Sequence, residues 1–134
     1  WALRNLARTA LRVTLLPGHL LDPLHPALGG AVDVVVSNPP YVSDVEWESL
    51  EPEVRDNEPR DAVLGGPDGL DVLLNLLEMV PRWLAIGGWL IVELAETQAQ
   101  KVAKLMRVIG YNDVAVTADM AGRDRVVEGR WMGA

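Results

Sequence analysis

An asparagine, two prolines and a tyrosine directly follow an apolar run in this 134-residue chain, which reads VVSNPPYV over residues 35–42. The Asn38 side-chain oxygen accepts hydrogen bonds. Pro39 and Pro40 hold φ at about −65°, which fixes the direction of the Pro39 carbonyl. Two acceptors in a fixed relation can take both N–H bonds of a planar amino group and turn its lone pair toward an electrophile, while Tyr41 offers an aromatic face. The four residues therefore predict a site that activates an amino nitrogen by orienting it.

The same four residues could form a plain turn, because Asn-Pro is a common turn opener. Their position favours a site. The preceding run AVDVVVS (31–37) is rich in β-branched residues and nearly continuous in apolar character. Such a run is typical of a strand covered on both faces of a parallel sheet. Ligands of open α/β sheets bind beyond the carboxyl ends of the strands, and Asn38 stands just past such an end.

Strand and helix patterns alternate along the chain, which predicts an α/β fold with a mainly parallel sheet. The last two strands have no helix between them, so we expect the final strand to be antiparallel. The polar segment 51–69 is predicted to be a long loop, functional or mobile. The predicted strands are 12–16, 31–37, 87–94, 113–118 and 125–131, and the predicted helices are 1–11, 43–50, 68–84 and 97–109.

Composition limits the class of protein. The chain is 49% hydrophobic, carries a net charge of −7 and contains no cysteine. The absence of cysteine excludes disulfides and thiolate metal sites, and we expect no metal. It also fits a protein of a reducing compartment such as the cytoplasm. No apolar run is close to the length of about 20 residues that a membrane-spanning helix needs. The negative net charge argues against nucleic acid as a partner, because proteins that bind phosphates usually present a basic face.

The motif resembles that of the S-adenosylmethionine-dependent amino methyltransferases. The segment LEPEVRDNEPRDAVLGGPDGLD (50–71) is similar to the one that follows the motif in the release factor glutamine N5-methyltransferases, as are GGWLIVEL (87–94) and AGRDRVV (121–127). This resemblance implies a Rossmann-like class I methyltransferase fold with S-adenosylmethionine as cofactor. It also implies methyl transfer to the glutamine amide in the Gly-Gly-Gln tip of a peptide chain release factor.

The resemblance also implies roles for individual residues. Asn38 and the Pro39 carbonyl would hold the glutamine amide, and Pro40 and Tyr41 would line its pocket. Asn38 and His19 would face the cofactor, although His19 could equally be a solvent-facing loop residue. Acidic side chains crowd the loop after the motif and form either a solvated surface or a gate over the substrate. We assign Glu58, one of these acids, to substrate binding.

The sequence departs from the family where the cofactor loop should be. The family pattern Asp-x-Gly-x-Gly-x-Gly is absent, and Gly65-Gly66 stands far beyond the Asn38 strand, where a turn into a helix is the simpler interpretation. The family's strand order is 3-2-1-4-5-7-6, with 12–16 as strand 3 and 31–37 as strand 4. We therefore expect residues 1–134 to be one N-terminally truncated catalytic domain. Its 31–37 strand would expose an edge through which the chain self-associates.

Two other functions also fit the sequence. The Asn-Pro-Pro-Tyr motif is shared with enzymes that methylate the amino group of adenine in nucleic acid, which would need a basic cleft with stacking residues. Alternatively, the chain is a non-catalytic fragment or association module, which the missing cofactor loop favours. Binding of S-adenosylmethionine separates this last possibility from the first.

Overall fold

The structure, a computed structural model, describes residues 2–9 and 11–133. A four-stranded sheet carries its two longest helices on one face. The strands are β1 (Val32–Ser37), β2 (Leu84–Glu93), β3 (Tyr111–Ala118) and β4 (Asp124–Trp131). The helices are α1 (Ala2–Leu6), α2 (Asp44–Trp47), α3 (Pro52–Asn57), α4 (Arg60–Val63), α5 (Asp71–Met79) and α6 (Ala99–Ile109), with 3₁₀ turns at Pro26–Leu28, Val80–Arg82 and Glu96–Gln98.

The strand order in the sheet is β1-β2-β4-β3. β1 runs parallel to β2, whereas β4 is antiparallel to both of its neighbours. Consequently β1, β2 and β3 share one direction and β4 opposes them. The predicted α/β class, with an antiparallel final strand, is confirmed. The carboxyl ends of β1 and β2 meet at the same edge of the sheet, where the Asn-Pro-Pro-Tyr turn (residues 38–41) begins.

β2 starts at Leu84, three residues before the predicted start at Gly87. Its pairing with β1 jumps from Val32↔Leu84 to Val34↔Trp89, so the strand bulges between these two pairs. Glycine permits this bulge, because Gly87 has a φ of +87°. The glycines that suggest a turn in the sequence therefore lie inside a strand.

The predicted strand at 12–16 is wrong, because these residues form no strand in the structure. Val13 and Leu15 are 55% and 44% exposed. A β-branched run forms a strand only where another strand can pair with it, and none of the described strands lies beside this segment.

Three predicted helices are shorter in the structure than in the prediction. The helix predicted over 1–11 is confined to Ala2–Leu6, and residues 1 and 10 of the predicted span lie outside the described residues. The helix predicted over 43–50 is confined to Asp44–Trp47. The helix predicted over 68–84 is α5, followed by the 3₁₀ turn that contains Pro81, which has no amide hydrogen to continue a helix. The predicted end of the helix over 97–109 is confirmed, since Gly110 follows α6 with a φ of +115°.

The segment predicted as a loop over 51–69 contains two short helices, so that prediction is wrong for part of its length. Pro52 occupies the first turn of α3 and Pro59 immediately precedes α4. Proline suits both places, because its fixed φ is compatible with a helix start and its missing N–H is not needed there. The sequence therefore contained a start signal for each helix.

The core lies between one face of the sheet and the helices α5 and α6. Leu73 and Leu77 of α5 and Met106 of α6 are almost fully buried against Leu90 and Val92 of β2. On the opposite face, the described residues leave several apolar side chains uncovered. On β1, Val34 and Val36 are the most exposed of these, at 49% and 72%.

Tyr111, at the start of β3, has a hydroxyl group that is buried without a hydrogen-bond partner among the described residues. Its ring packs against Trp131 with 5.3 Å between ring centroids. A buried, unpaired hydroxyl costs about 1–3 kcal/mol of desolvation. We expect Tyr111→Phe to raise the free energy of unfolding by about 1 kcal/mol, measured by chemical denaturation at neutral pH. A loss of stability would show that the hydroxyl has a partner.

Burial also raises the pKa of the Tyr111 hydroxyl. The unfolded chain releases this proton at about pH 10, whereas the folded chain retains it. The folded state is therefore favoured fully below pH 10 and loses this advantage as the pH rises further. The free energy of unfolding of the wild type should fall more steeply above pH 10 than that of Tyr111→Phe.

Candidate functional site

The Asn-Pro-Pro-Tyr turn leaves the sheet at the end of β1, where Ser37 still pairs with Val92 of β2. Pro39 is buried, Pro40 and Tyr41 are half-buried, and Asn38 is exposed. The prolines thus form the packed base of the turn and the asparagine its open side. The Asn38 side chain makes no hydrogen bond within residues 2–9 and 11–133, so its oxygen is available to a ligand.

A pocket of about 500 Å³ opens beside this turn. All four residues of the turn line it, and Glu58, predicted to bind substrate, lines it as well. The structure therefore brings together five of the six residues predicted from the sequence. The remaining lining residues are mostly apolar: Val42, Leu50, Val54, Ala62 and Val63.

His19, the sixth predicted residue, does not line this pocket. Its side chain is 66% exposed, and its Nδ1 atom lies 4.0 Å from Oδ2 of Asp22. It stands in an irregular segment well before β1. The structure thus separates His19 from the pocket beside Asn38, and its role toward a cofactor stays a prediction.

α3 and α4 line the outer wall of the pocket, and α2 lies beside α4. Ser43 and Glu46 form a capping box at the start of α2, in which the Ser43 N–H donates to the Glu46 carboxylate at 2.9 Å. The hydrogen bond from the Ser43 N–H is the main reason that the pKa of Glu46 lies below its usual range, and the bond from the Ser43 hydroxyl is the second. The guanidinium of Arg60 lies 5.7 Å from the centre of the Trp47 ring, which connects α4 to α2.

This wall is strongly acidic and exposed. Eight carboxylates lie in residues 43–61, together with only two arginines, Arg55 and Arg60. Arg55 contacts its neighbour Asp56 at 3.7 Å on the surface. The eight acidic residues are Asp44, Glu46, Glu48, Glu51, Glu53, Asp56, Glu58 and Asp61.

A glycine-rich strap, defined here as Gly65–Gly69, packs against the back of the turn. The Gly65 N–H donates to the Val42 carbonyl at 2.9 Å. A Cβ atom added to Gly65 would lie 2.7 Å from the Pro40 carbonyl oxygen, so a side chain cannot be placed there without movement. Gly69, with a φ of +74°, is packed against the Tyr41 carbonyl just as closely.

Neither the close packing of this strap nor a role of Gln98 was predicted from the sequence. The Gln98 amide is buried and donates to the Tyr41 carbonyl at 3.0 Å. A signal did exist: three glycines in five residues over 65–69 indicate close approach of two backbones. No comparable signal exists for Gln98, because a glutamine in a turn after a buried strand does not indicate which distant group it will contact.

The described parts of the chain hold no group of three or more histidines and acids close enough together to ligate a metal ion. Among the same residues, no helix is both long and apolar enough to cross a membrane. At the pocket, the turn presents the Asn38 side-chain amide and the Tyr41 ring, two of the groups predicted to meet a planar amino group. Their roles stay a prediction.

Comparisons with known proteins find similar sequences along nearly the whole chain. The release factor glutamine methyltransferase of Geobacter sulfurreducens is 44% identical over 96% of this chain and 44% of its own length. That of Thermosynechococcus vestitus is 41% identical over 90% of this chain and 42% of its own length. No protein-family model matches the chain.

The chain is similar to the release factor glutamine methyltransferases over nearly its whole length. The resemblance predicted from the sequence is thereby confirmed. The chain spans less than half the length of these release factor glutamine methyltransferases.

A solved structure supports the fold. A chain of the E. cuniculi Mtq2–Trm112 complex, which methylates the translation termination factor eRF1, superposes with a TM-score of 0.61 at 22% identity. The match covers 96% of this chain and 67% of that chain. The predicted class I methyltransferase fold is confirmed. The order β1-β2-β4-β3 corresponds to the 4-5-7-6 part of the order expected from the resemblance.

Proposed function

We propose that the protein containing this chain methylates the side-chain amide nitrogen of a glutamine in a peptide chain release factor, with S-adenosylmethionine as methyl donor. The observation that carries this proposal is the pocket lined by the Asn-Pro-Pro-Tyr turn at the carboxyl end of β1. Similarity to release factor glutamine methyltransferases over nearly the whole chain supports it. We place this activity in the cytoplasm, with the Gly-Gly-Gln tip of the release factor in the pocket.

In this proposal, the chain binds and orients the nucleophile. The Asn38 oxygen accepts one N–H bond of the glutamine amide and the Pro39 carbonyl accepts the other. With both N–H bonds held, the nitrogen lone pair is directed out of the amide plane toward the donor. Pro40 and Tyr41 exclude water and hold the amide flat. Most of the rate enhancement is thus assigned to orientation.

The residues of this chain do not form a complete site for S-adenosylmethionine. The glycine-rich cofactor loop is absent from the sequence, and the pocket lining does not include His19. When bound, S-adenosylmethionine supplies an electrophilic methyl group. Asn38, at the end of β1, is the residue of this chain that we place between the cofactor and the amide.

Glu58 and the acidic wall around it are the part of the site that we assign to the release factor. Glu58 lines the pocket and is exposed, so a bound loop would contact it on entering. The apolar side chains of Leu50 and Val54 lie on the same wall. They would cover the bound glutamine while the carboxylates remain toward solvent.

A methyl-transfer assay tests this function. Radiolabelled S-adenosylmethionine is offered to the full-length protein with a release factor, with the same factor carrying Gln→Ala in its Gly-Gly-Gln tip, and with DNA and RNA. We expect label on the intact release factor alone. Label on adenine would replace this function with nucleic acid methylation, and label on none of them would leave a non-catalytic association module.

We also propose that this chain, when produced alone, self-associates through β1. β1 pairs with β2 on one side and with no described strand on the other. Its side chains Val34 and Val36 are exposed, and a free apolar edge recruits further strands. Light scattering should show oligomers that Val36→Lys reduces. Val45→Lys is the control, because Val45 is 80% exposed but lies away from the edge. A monodisperse wild-type monomer would exclude this association.

A further inference from the structure

Apart from the aromatic residues, Gln98 is the one polar or charged side chain that is buried among the described residues, at 7% exposure. It ends the 3₁₀ turn Glu96–Gln98, which connects β2 to α6. Burying an amide is unfavourable unless its polar atoms are hydrogen-bonded. The position of those bonds therefore shows what this side chain holds in place.

The hydrogen bonds of Gln98 join three separate segments. Its Nε2 group donates to the Tyr41 carbonyl at 3.0 Å and to the Gly69 carbonyl at 3.2 Å. Its Oε1 atom accepts from the Ala95 N–H at 3.1 Å. The bond to Tyr41 spans 57 positions of the sequence. One amide thus connects the end of β2, the glycine-rich strap and the Asn-Pro-Pro-Tyr turn.

These bonds fix the downstream end of the turn. Its upstream end is held by the sheet, where Ser37 pairs with Val92. Between the two ends, the φ angles of Pro39 and Pro40 are set by their rings. Once the Tyr41 carbonyl is anchored as well, little freedom remains in the backbone that presents Asn38.

We propose that Gln98 is a positioning residue for the Asn-Pro-Pro-Tyr turn. It anchors the Tyr41 carbonyl and thereby sets the geometry in which Asn38 and the Pro39 carbonyl meet the substrate amide. It does not itself line the pocket. This inference rests on the proposed function, because the turn must present two acceptors for its geometry to affect a rate.

Two variants of the full-length protein test the anchor. Gln98→Met keeps a similar volume and removes every hydrogen bond of the side chain. Gln98→Glu keeps the acceptor for the Ala95 N–H and replaces the donor that faces the Tyr41 carbonyl. Gln100→Met is the matched control, because Gln100 is an exposed glutamine of α6 that donates to Asp124.

We expect both Gln98 variants to lower kcat about tenfold or more, because a misplaced acceptor loses the benefit of orientation. The dissociation constant of S-adenosylmethionine should stay within about twofold, since Gln98 acts on the amide side of the site. Hydrogen exchange should accelerate at the amides of Val42 and Gly65, which bond around the turn, and stay unchanged in α6. Gln100→Met should alter none of these values.

Wild-type kcat in either Gln98 variant would overturn the proposal. A uniform rise of hydrogen exchange through the whole fold would also overturn it, because Gln98 would then be a general stabilising residue. If the variants do not fold, nuclear magnetic resonance of the wild type decides: slow exchange of the Gln98 side-chain protons supports the anchor, and exchange as fast as that of Gln100 refutes it. A wild type that transfers no methyl group would instead overturn the proposed function, while the exchange rates still decide the anchor.

Discussion

Asn38→Ala in the full-length protein is expected to lower kcat for methyl transfer to the release factor about a hundredfold. The Asn38 oxygen has no protein partner among the described residues and stands at the mouth of the pocket, so its removal leaves the fold intact. Under the proposed function, the substitution removes one of the two acceptors that hold the substrate amide. The dissociation constant of S-adenosylmethionine should change less than about threefold, because the interaction that is removed acts on the amide. Steady-state kinetics and calorimetry measure the two quantities.

Asn75→Ala is the matched control for this substitution. Asn75 is an exposed asparagine on α5 that does not line the pocket, so its replacement should alter neither kcat nor cofactor affinity. Equal losses of rate and cofactor affinity in Asn38→Ala would contradict the assignment. Asn38 would then serve the cofactor or the fold, and the acceptor of the amide would have to be sought elsewhere.

Gly69→Ala is expected to have the largest effect on stability, at about 3 kcal/mol of lost unfolding free energy. Gly69 has a φ of +74°, which costs a residue with a side chain about 1–2 kcal/mol. The added Cβ atom would also lie 2.7 Å from Nε2 of Gln98 and would overlap the Tyr41 carbonyl oxygen. Relief of this overlap requires the strap to move away from the turn, at a further cost of about 1–3 kcal/mol. Chemical denaturation measures the loss.

Gly122→Ala separates the two contributions. Gly122 has a φ of +80°, similar to that of Gly69, but an added Cβ atom there meets nothing within 4 Å. It should therefore lose only the backbone contribution, about 1–2 kcal/mol. The two variants should also differ in methyl-transfer activity. Gly69→Ala displaces the Asn-Pro-Pro-Tyr turn and should lower the activity, whereas Gly122→Ala leaves the turn in place. Equal losses of stability in the two variants would show that the strap does not press on the turn.

The sequence predicted the chemical part of the site because that part is local. Residues 38–41 are consecutive, the prolines restrict their own backbone, and the β-branched run before them forms β1 as expected. The end of α6 at Gly110 is local in the same way. Glu58 was predicted to bind substrate as one of the acids that crowd the loop after the motif, and in the structure it lines the pocket together with Asn38. The role of each of these residues stays a prediction until the substitutions are made.

Tertiary structure alone decided where strands find partners and which distant groups meet. The run at 12–16 has a strand-like sequence but no described strand beside it, so it stays irregular. His19 follows the same segment and lies apart from the pocket. The anchor from Gln98 to Tyr41 was invisible in the sequence, because a hydrogen bond across 57 positions depends on how β2, α6 and the strap pack together. Local residue types determine what a segment can form, whereas pairing and burial depend on neighbours that only the folded chain supplies.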